Sequence, residues 1–254
     1  MKYATSAAGV IASASVVIGT VAAWSQTSVI QQNNVSVNRE GSSVTVSGQT
    51  VSVQTSAGFG RIVGNGEPAS ETRAMGAVSA ISADGAFVLT IKIGSAPGLV
   101  VETDKNLLPI VKTEVSNGKL EIYTDRSYSV DGRIKVTVTS PQVAEIDASG
   151  SNQVNGQALS GQNLSISLNG SNNAVLTGNV SRMSAQLSGS NQLSAQELTT
   201  GSVNVAVNGS GAASVDARER IVAEISGAGS ISIYGNPKER STQVNGAGRI
   251  TFVE

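Results

Sequence analysis

Residues 168–195 read LNGSNNAVLTGNVSRMSAQLSGSNQLSA, and the tripeptide Gly-Ser-Asn occurs twice in that stretch, at Gly170 and Gly189. It occurs once more upstream, at Gly150. Followed onward, the same glycine position recurs at Gly209, Gly227 and Gly246, with successive spacings of 20, 19, 20, 18 and 19 residues. Two residues before each glycine stands an apolar side chain: Ala148, Leu168, Leu187, Val207, Ile225 and Val244. Four residues after it stand Val154, Ala174, Leu193, Ala213, Ile231 and Ile250. Upstream of each corner the apolar residues alternate, as in Leu164/Ile166/Leu168 and Val203/Val205/Val207. A period of two is the signature of a strand with one buried face. Each copy is therefore a strand, a tight corner at the glycine, and a second short strand.

A repeat of this length cannot bury its apolar face alone, whereas stacked copies cover one another and pair their backbones above and below. The spacing thus predicts an all-β chain whose second half is a right-handed parallel β-helix, or solenoid, with coils of about 19–20 residues. Glycine suits a corner that needs positive φ or close backbone approach. Asn152, Asn172 and Asn191 follow their glycines by two residues, and Asn both tolerates the left-handed region and can bond the next coil through its amide. Their expected role is a structural ladder; a ligand site built from them is the alternative. In the last three coils the position becomes Gly211, Gly229 and Gly248, which offer no ladder.

The composition agrees with a turn-rich β protein. Charged residues make up 14% and aromatics 3% of 254 residues, with 28 glycines. The formal net charge is −1 and no basic run is present, which excludes the electrostatic footprint of a nucleic-acid binder. There is no cysteine and no histidine. Thiol nucleophiles, His-based general bases, the usual zinc sites and a lipid-modified cysteine anchor are excluded with them. No cofactor and no metal is expected.

The N-terminus, MKYATSAAGVIASASVVIGTVAAWSQ, has a single charge at Lys2, an apolar middle from Ala7 to Ala23, and a small-residue exit at Val21-Ala22-Ala23. Residues 1–23 read as a secretory signal or, uncleaved, as a membrane anchor. Both place the body of the protein outside the cytoplasm, and the membrane is a partner only if the leader stays. Residues 24–75 form a polar linker in which Val35/Val37, Val44/Val46 and Val51/Val53 mark a small β-meander, followed by a loop through GNGEPASETRAM. The third region, 76–254, carries the sharper patterns. Phe87, Leu89, Ile91 and Ile93 form one apolar strand face, TEVSNGKLEIY is a hairpin signal around Asn117-Gly118, and GRIKVTVTSP is a strand halted at Pro141.

Catalysis is not supported by these residues. A glycosidase needs two carboxylates facing one cleft. The acids of the repeat region, among them Glu197, Asp216, Glu219 and Glu224, occupy different places in their coils. Glu145 and Asp147 share a strand face but have nothing basic beside them in sequence, and Asp125, Arg126 and Asp131, near Tyr123 and Tyr128, read as a solvated loop. What remains is an outward surface of hydroxyls and amides, such as Ser165, Ser167, Ser184, Gln186, Asn204 and Ser232.

The segments GAFVLTIKIG, VVETDKNLLPIVKTEVSNGKLEIYTD and GRIKVTVTSPQVAEIDASGSNQV, with the recurring Ser/Asn-Gly corners, resemble the bacterial auto-transporter adhesin head GIN domain, a former domain of unknown function. The resemblance runs from about residue 78 to the C-terminus, and it implies an exported envelope protein with a β-helical fold, in the periplasm, at the outer membrane or cell surface, or extracellular. It transfers no functional residue, and no translocator barrel is expected from this sequence. The expected function is non-catalytic surface binding, with a glycan or cell-surface polymer as partner. The alternatives are a structural or oligomeric scaffold and, as an outsider, a carbohydrate-active enzyme. The last coil ends on Ile250 and Phe252 with no evident cap, so a homo-oligomer contact or the N-terminal segment is expected to cover it.

Overall fold

The computed structural model describes residues 35–37, 43–46, 49–52 and 61–253. The leader, 1–23, lies outside the described residues. Two compact units divide after residue 58. In the first, Val35–Val37, Ser43–Val46 and Gln49–Ser52 form an antiparallel three-stranded sheet, with Val35 opposite Val46 and Val44 opposite Val51.

The second unit is a β-solenoid. Its long sides are two ladders. One runs through Lys119–Thr124, Ala80–Gly85, Glu145–Gly150, the distal halves of Gln153–Gly170, Asn173–Gly189 and Gln192–Gly209, then Arg220–Gly227 and Glu239–Gly246, parallel throughout. The other stacks Ile134–Ser140, Phe87–Ile93, the proximal halves of the same three long strands, Ala212–Asp216, Ser230–Tyr234 and Arg249–Phe252. A short third side pairs Leu159–Gly161 with Gly178–Val180. The separate short second strand the sequence suggests is present as Ala212–Asp216, Ser230–Tyr234 and Arg249–Phe252, but in the three copies before them it runs on into the next strand. Gln153–Gly170 is one 18-residue strand that bends at a register shift between Gly156 and Leu159. A bulge turns the chain there without breaking the ladder.

Side chains of equivalent positions stack in the interior. Leu120, Ile81, Ile146, Ile166, Ala185, Val205 and Ala223 form one column, and Ile122, Ala83, Ala148, Leu168, Leu187, Val207 and Ile225 the next; all are buried. The columns mix large and small residues, which lets neighbouring coils interdigitate without voids.

The glycine corners form a column as well. Gly150, Gly170, Gly189, Gly209, Gly227 and Gly246 have φ between +102° and +132°. A Cβ on any of them would stand 2.3–2.5 Å from the carbonyl oxygen of the corner glycine in the preceding coil. The column begins one coil earlier than the repeat count suggests, at Gly85, whose carbonyl accepts from Ser151 N at 2.8 Å and meets the absent Cβ of Gly150.

Coil order in space departs from coil order in sequence at the N-terminal end. After Phe87–Ile93 the chain leaves the stack, forms Gly98–Asp104 and the hairpin of Val111–Ser116 with Lys119–Thr124, then Ile134–Ser140. Asn117 and Gly118 turn that hairpin with φ of 51° and 75°. Lys119–Thr124 and Ile134–Ser140 then pair onto the outer side of the first coil, so a coil later in sequence precedes it in space. Ser140, fully buried, locks this crossing: Val78 N donates to its Oγ at 3.1 Å and the Oγ donates to Val78 O at 2.6 Å. Antiparallel edges finish this end, Val111–Ser116 on one ladder, Gly98–Asp104 and Pro68–Arg73 on the other. Pro68–Arg73 lies in the segment expected to be a loop. It is a strand because its backbone completes the free edge of Gly98–Asp104, a partner that local sequence does not reveal.

At the C-terminal end the last coil carries polar side chains at core-facing positions. In register with Ile221, Ala223 and Ile225, the last coil has Arg240, Thr242 and Val244. The Arg240 guanidinium lies 4.3 Å from the centroid of the Phe252 ring, and its Nε donates to Pro237 O at 2.8 Å. A charged side chain at a core-facing position blunts an edge strand. Arg240 lies over Phe252, while Val244, 41% exposed, stays open among the described residues.

The corner column makes a direct prediction. Replacing Gly189 by Ala adds a Cβ 2.5 Å from Gly170 O at a φ of +106°. Strain of this kind costs about 1–3 kcal/mol before the clash is counted, and each kcal/mol lowers Tm by roughly 2–4 °C in a domain of this size. Thermal denaturation should show a fall of at least about 5 °C on that scale; an unchanged Tm would mean that the corner has slack the stacking distances deny.

Candidate functional site

The three asparagines are buried side by side, each 2% exposed. Asn172 shows the pattern. Its Oδ1 accepts from Asn152 N at 2.8 Å and Asn152 Nδ2 at 3.0 Å. Its Nδ2 donates to Ala148 O, Asn169 O and Asn191 Oδ1 at 3.1, 2.8 and 2.9 Å. Asn191 Nδ2 donates to Leu168 O and Ser188 O, and at the other end Phe87 N donates to Asn152 Oδ1 at 3.0 Å. The amides are occupied by neighbouring coils and closed to solvent, so they hold corners together and cannot reach a ligand.

At two of the three glycines that replace Asn, a side chain of the preceding coil stands in the way. A Cβ at Gly229 would stand 2.7 Å from Val207 Cγ1, and one at Gly248 2.5 Å from Ile225 Cγ2. At Gly211 the obstacle is backbone instead: a Cβ there would stand 2.8 Å from Asn191 O.

The surface offers three kinds of feature. First, the outward positions of the first ladder form columns: Glu145, Ser165, Ser184, Asn204, Val222, and Asp147, Ser167, Gln186, Ala206, Glu224. Hydroxyls and amides dominate these columns, spaced at about 4.8 Å by the ladder. Second, Glu145 and Asp147 are not isolated, contrary to the sequence reading. Parallel stacking brings Lys119 to them, with Nζ 3.1 Å from Glu145 Oε1 and 2.8 Å from Asp147 Oδ2. Hydrogen bonds that the Lys119 ammonium donates, to Asp147 first and Glu145 second, hold it above its ordinary pKa.

Third, the glycine corner is interrupted once. Between Lys119–Thr124 and Ile134–Ser140 the two-residue corner becomes a loop, residues 125–133, which pairs briefly through Tyr128–Ser129 with Ile62–Val63. Beside the Gly85–Ala86 corner this loop opens a concavity of about 890 Å³. Its charged lining is Arg61, Asp125, Arg126 and Arg133. Arg61 Nε donates to Tyr128 O at 2.6 Å and Arg133 Nη1 donates to Ser151 O. The loop was read in sequence as solvated charges. In the structure Asp125 pairs with Lys112 at 3.2 Å, the Tyr123 hydroxyl donates to Glu114 Oε1 at 2.7 Å, and Asp131 faces a neighbouring depression with Arg133 and Lys135. Arg126 stays at the concavity, joined by Arg133 of the same loop and by Arg61 from distant sequence.

A β-solenoid capped at its start by antiparallel strands and carrying polar outward columns is the class these features define. The family model described as "Putative auto-transporter adhesin, head GIN domain" matches residues 78–237, and the chain belongs to that family. A crystal structure from Bacteroides fragilis NCTC 9343, called a putative adhesin, aligns with 76% of this chain and 100% of its own, with a TM-score of 0.58 at 21% identity. Another so named, from Parabacteroides merdae ATCC 43184, aligns with 76% of this chain and 99% of its own, with a TM-score of 0.49 at 19% identity. At 21% identity the likeness to the first is one of fold. No curated protein matches the sequence.

Two predictions follow from these contacts. Asn172→Ala leaves Asn152 N without its acceptor in a buried corner, while Asn152 Nδ2 keeps Ser149 O; at about 1–3 kcal/mol per unsatisfied group, denaturant titration should show a loss of at least about 1 kcal/mol with little change in slope. For Lys119 the folded pKa lies above the unfolded value of about 10.4, so its contribution is fully present below that pH and is lost as pH rises through the folded pKa. The stability gap between the wild type and Lys119→Met, within about 1 kcal/mol for so exposed a group, should therefore be level near neutrality and close above about pH 10.5. A gap that widens with rising pH contradicts the assignment.

Proposed function

We propose that this protein is an exported, non-catalytic, adhesin-like component of the bacterial envelope that holds a glycan or other surface polymer against its outer faces. The observation that carries the reading is the outward column set of the long ladder, where Ser165, Ser184 and Asn204, and Ser167 and Gln186, stand in register on successive coils. A rigid array of hydroxyls and amides at one strand spacing suits many weak contacts with a repeating polymer. The family and fold neighbours, called putative adhesins, support it. Absence of catalysis is supported by the state of the carboxylates: Glu145 and Asp147 share one ammonium, and Asp216, 4% exposed, is tied to Arg218 Nε at 2.7 Å. Export is supported by residues 1–23, with their small-residue exit.

A structural scaffold is the second reading. It is favoured by the edge of Glu239–Gly246, exposed along all eight residues and paired with Arg220–Gly227 alone. One experiment separates the two. The purified protein is applied to an array of bacterial and host glycans while its mass is followed by sedimentation across concentration. Retention on one polymer class by a species of constant mass is the expected result. No retention, with mass rising with concentration, replaces the binding reading by the scaffold.

A further inference from the structure

We propose that the concavity at the interrupted corner binds an anionic saccharide unit through the guanidinium groups of Arg61, Arg126 and Arg133; this rests on the surface-binding reading above and names the chemistry of the polymer. The charges are unbalanced. Three guanidiniums line the site against one carboxylate, Asp125, which is already paired with Lys112. None of the three arginines has an ion-pair partner among the described residues. Asp84, beside Gly85 and exposed, is the further carboxylate at the rim.

The donors are partly organised in advance. Arg61 spends its Nε on Tyr128 O and Arg133 spends Nη1 on Ser151 O. A guanidinium carries five N–H donors, so each keeps several for a ligand while a backbone oxygen fixes its position. Positioned guanidiniums of this kind match the paired oxygens of a carboxylate, sulfate or phosphate. The rest of the lining suits a sugar: hydroxyls from Thr124, Ser127 and Ser129, and the half-buried Tyr128 ring. A phenol ring gives the apolar face of a pyranose a surface to rest on while its edge stays wet. The patch is local, because the whole chain has a formal net charge of −1 and no general pull on polyanions. The sequence hides part of the site: Arg126 and Arg133 share one loop, but only the brief pairing of Ile62–Val63 with Tyr128–Ser129 brings Arg61 to them.

The test measures binding of the purified chain to polygalacturonate, dextran sulfate and neutral dextran at low and high salt. The expected result is binding of at least one acidic polymer, weakened by salt. Arg126→Ala should lower that affinity about 2- to 5-fold, the worth of one exposed ion pair, and Arg126→Glu by more. Arg126 makes no contact that folding needs, and Arg182→Glu, the same charge change in the Ser181–Ser202 groove, serves as control and should leave binding unaltered. The carboxylate and sulfate arms identify the oxyanion. Equal binding by wild type and Arg126→Glu, equal loss in Arg182→Glu, or no retention of either acidic polymer overturns the proposal. If neutral glycans are still held, only the arginine site fails; if no polymer of any kind is held, the surface-binding reading fails with it.

Discussion

The structure depends on how closely one coil lies upon the next at its corner. At six successive glycines the place of a Cβ is taken by the carbonyl oxygen of the corner below, 2.3–2.5 Å away. Any side chain there would lift one coil from its neighbour, and the lift would be felt along both ladders. Stacking at strand spacing is what lets small side chains such as Ala148, Ala185 and Ala223 suffice for a core. The buried asparagines are a consequence of the same geometry. A corner that brings backbone so close leaves inward-facing N–H and C=O groups without ladder partners, and the amides of Asn152, Asn172 and Asn191 satisfy them.

Function is assigned where that regularity is broken or leaves surface free. The repeat interior has no spare polar group, and its corners are occupied. What the fold presents outward is a grid whose rows are set by the strand spacing and whose columns are set by the sequence period. At the one corner where a loop replaces Gly-x-Asn, the chain can afford side chains of any size, and three arginines collect there. The two ends of the stack are handled differently: antiparallel edge strands at one, an arginine laid on an aromatic ring at the other.

Much of this was legible from the residues. The period of 19 or 20, the inward alternation and the glycine column place the solenoid before any coordinate is consulted. Gly85 escaped the count because an insertion of some fifty residues separates it from Gly150, and a period cannot be seen across a gap of another length. Pro68–Arg73 escaped because its polar, alternation-poor sequence is stabilised by an edge it finds in space. Lys119 is 26 and 28 residues from the two carboxylates it binds, and only the out-of-order coil brings it to them.

The sequence by itself determined which side chains point inward and where the chain must turn, because both follow from local periodicity and from the one residue that can occupy a crowded left-handed corner. The tertiary structure alone decided which coil comes first, which groups close the ends, and which charges meet. Those depend on contacts between segments whose separation along the chain carries no period, so nothing local encodes them.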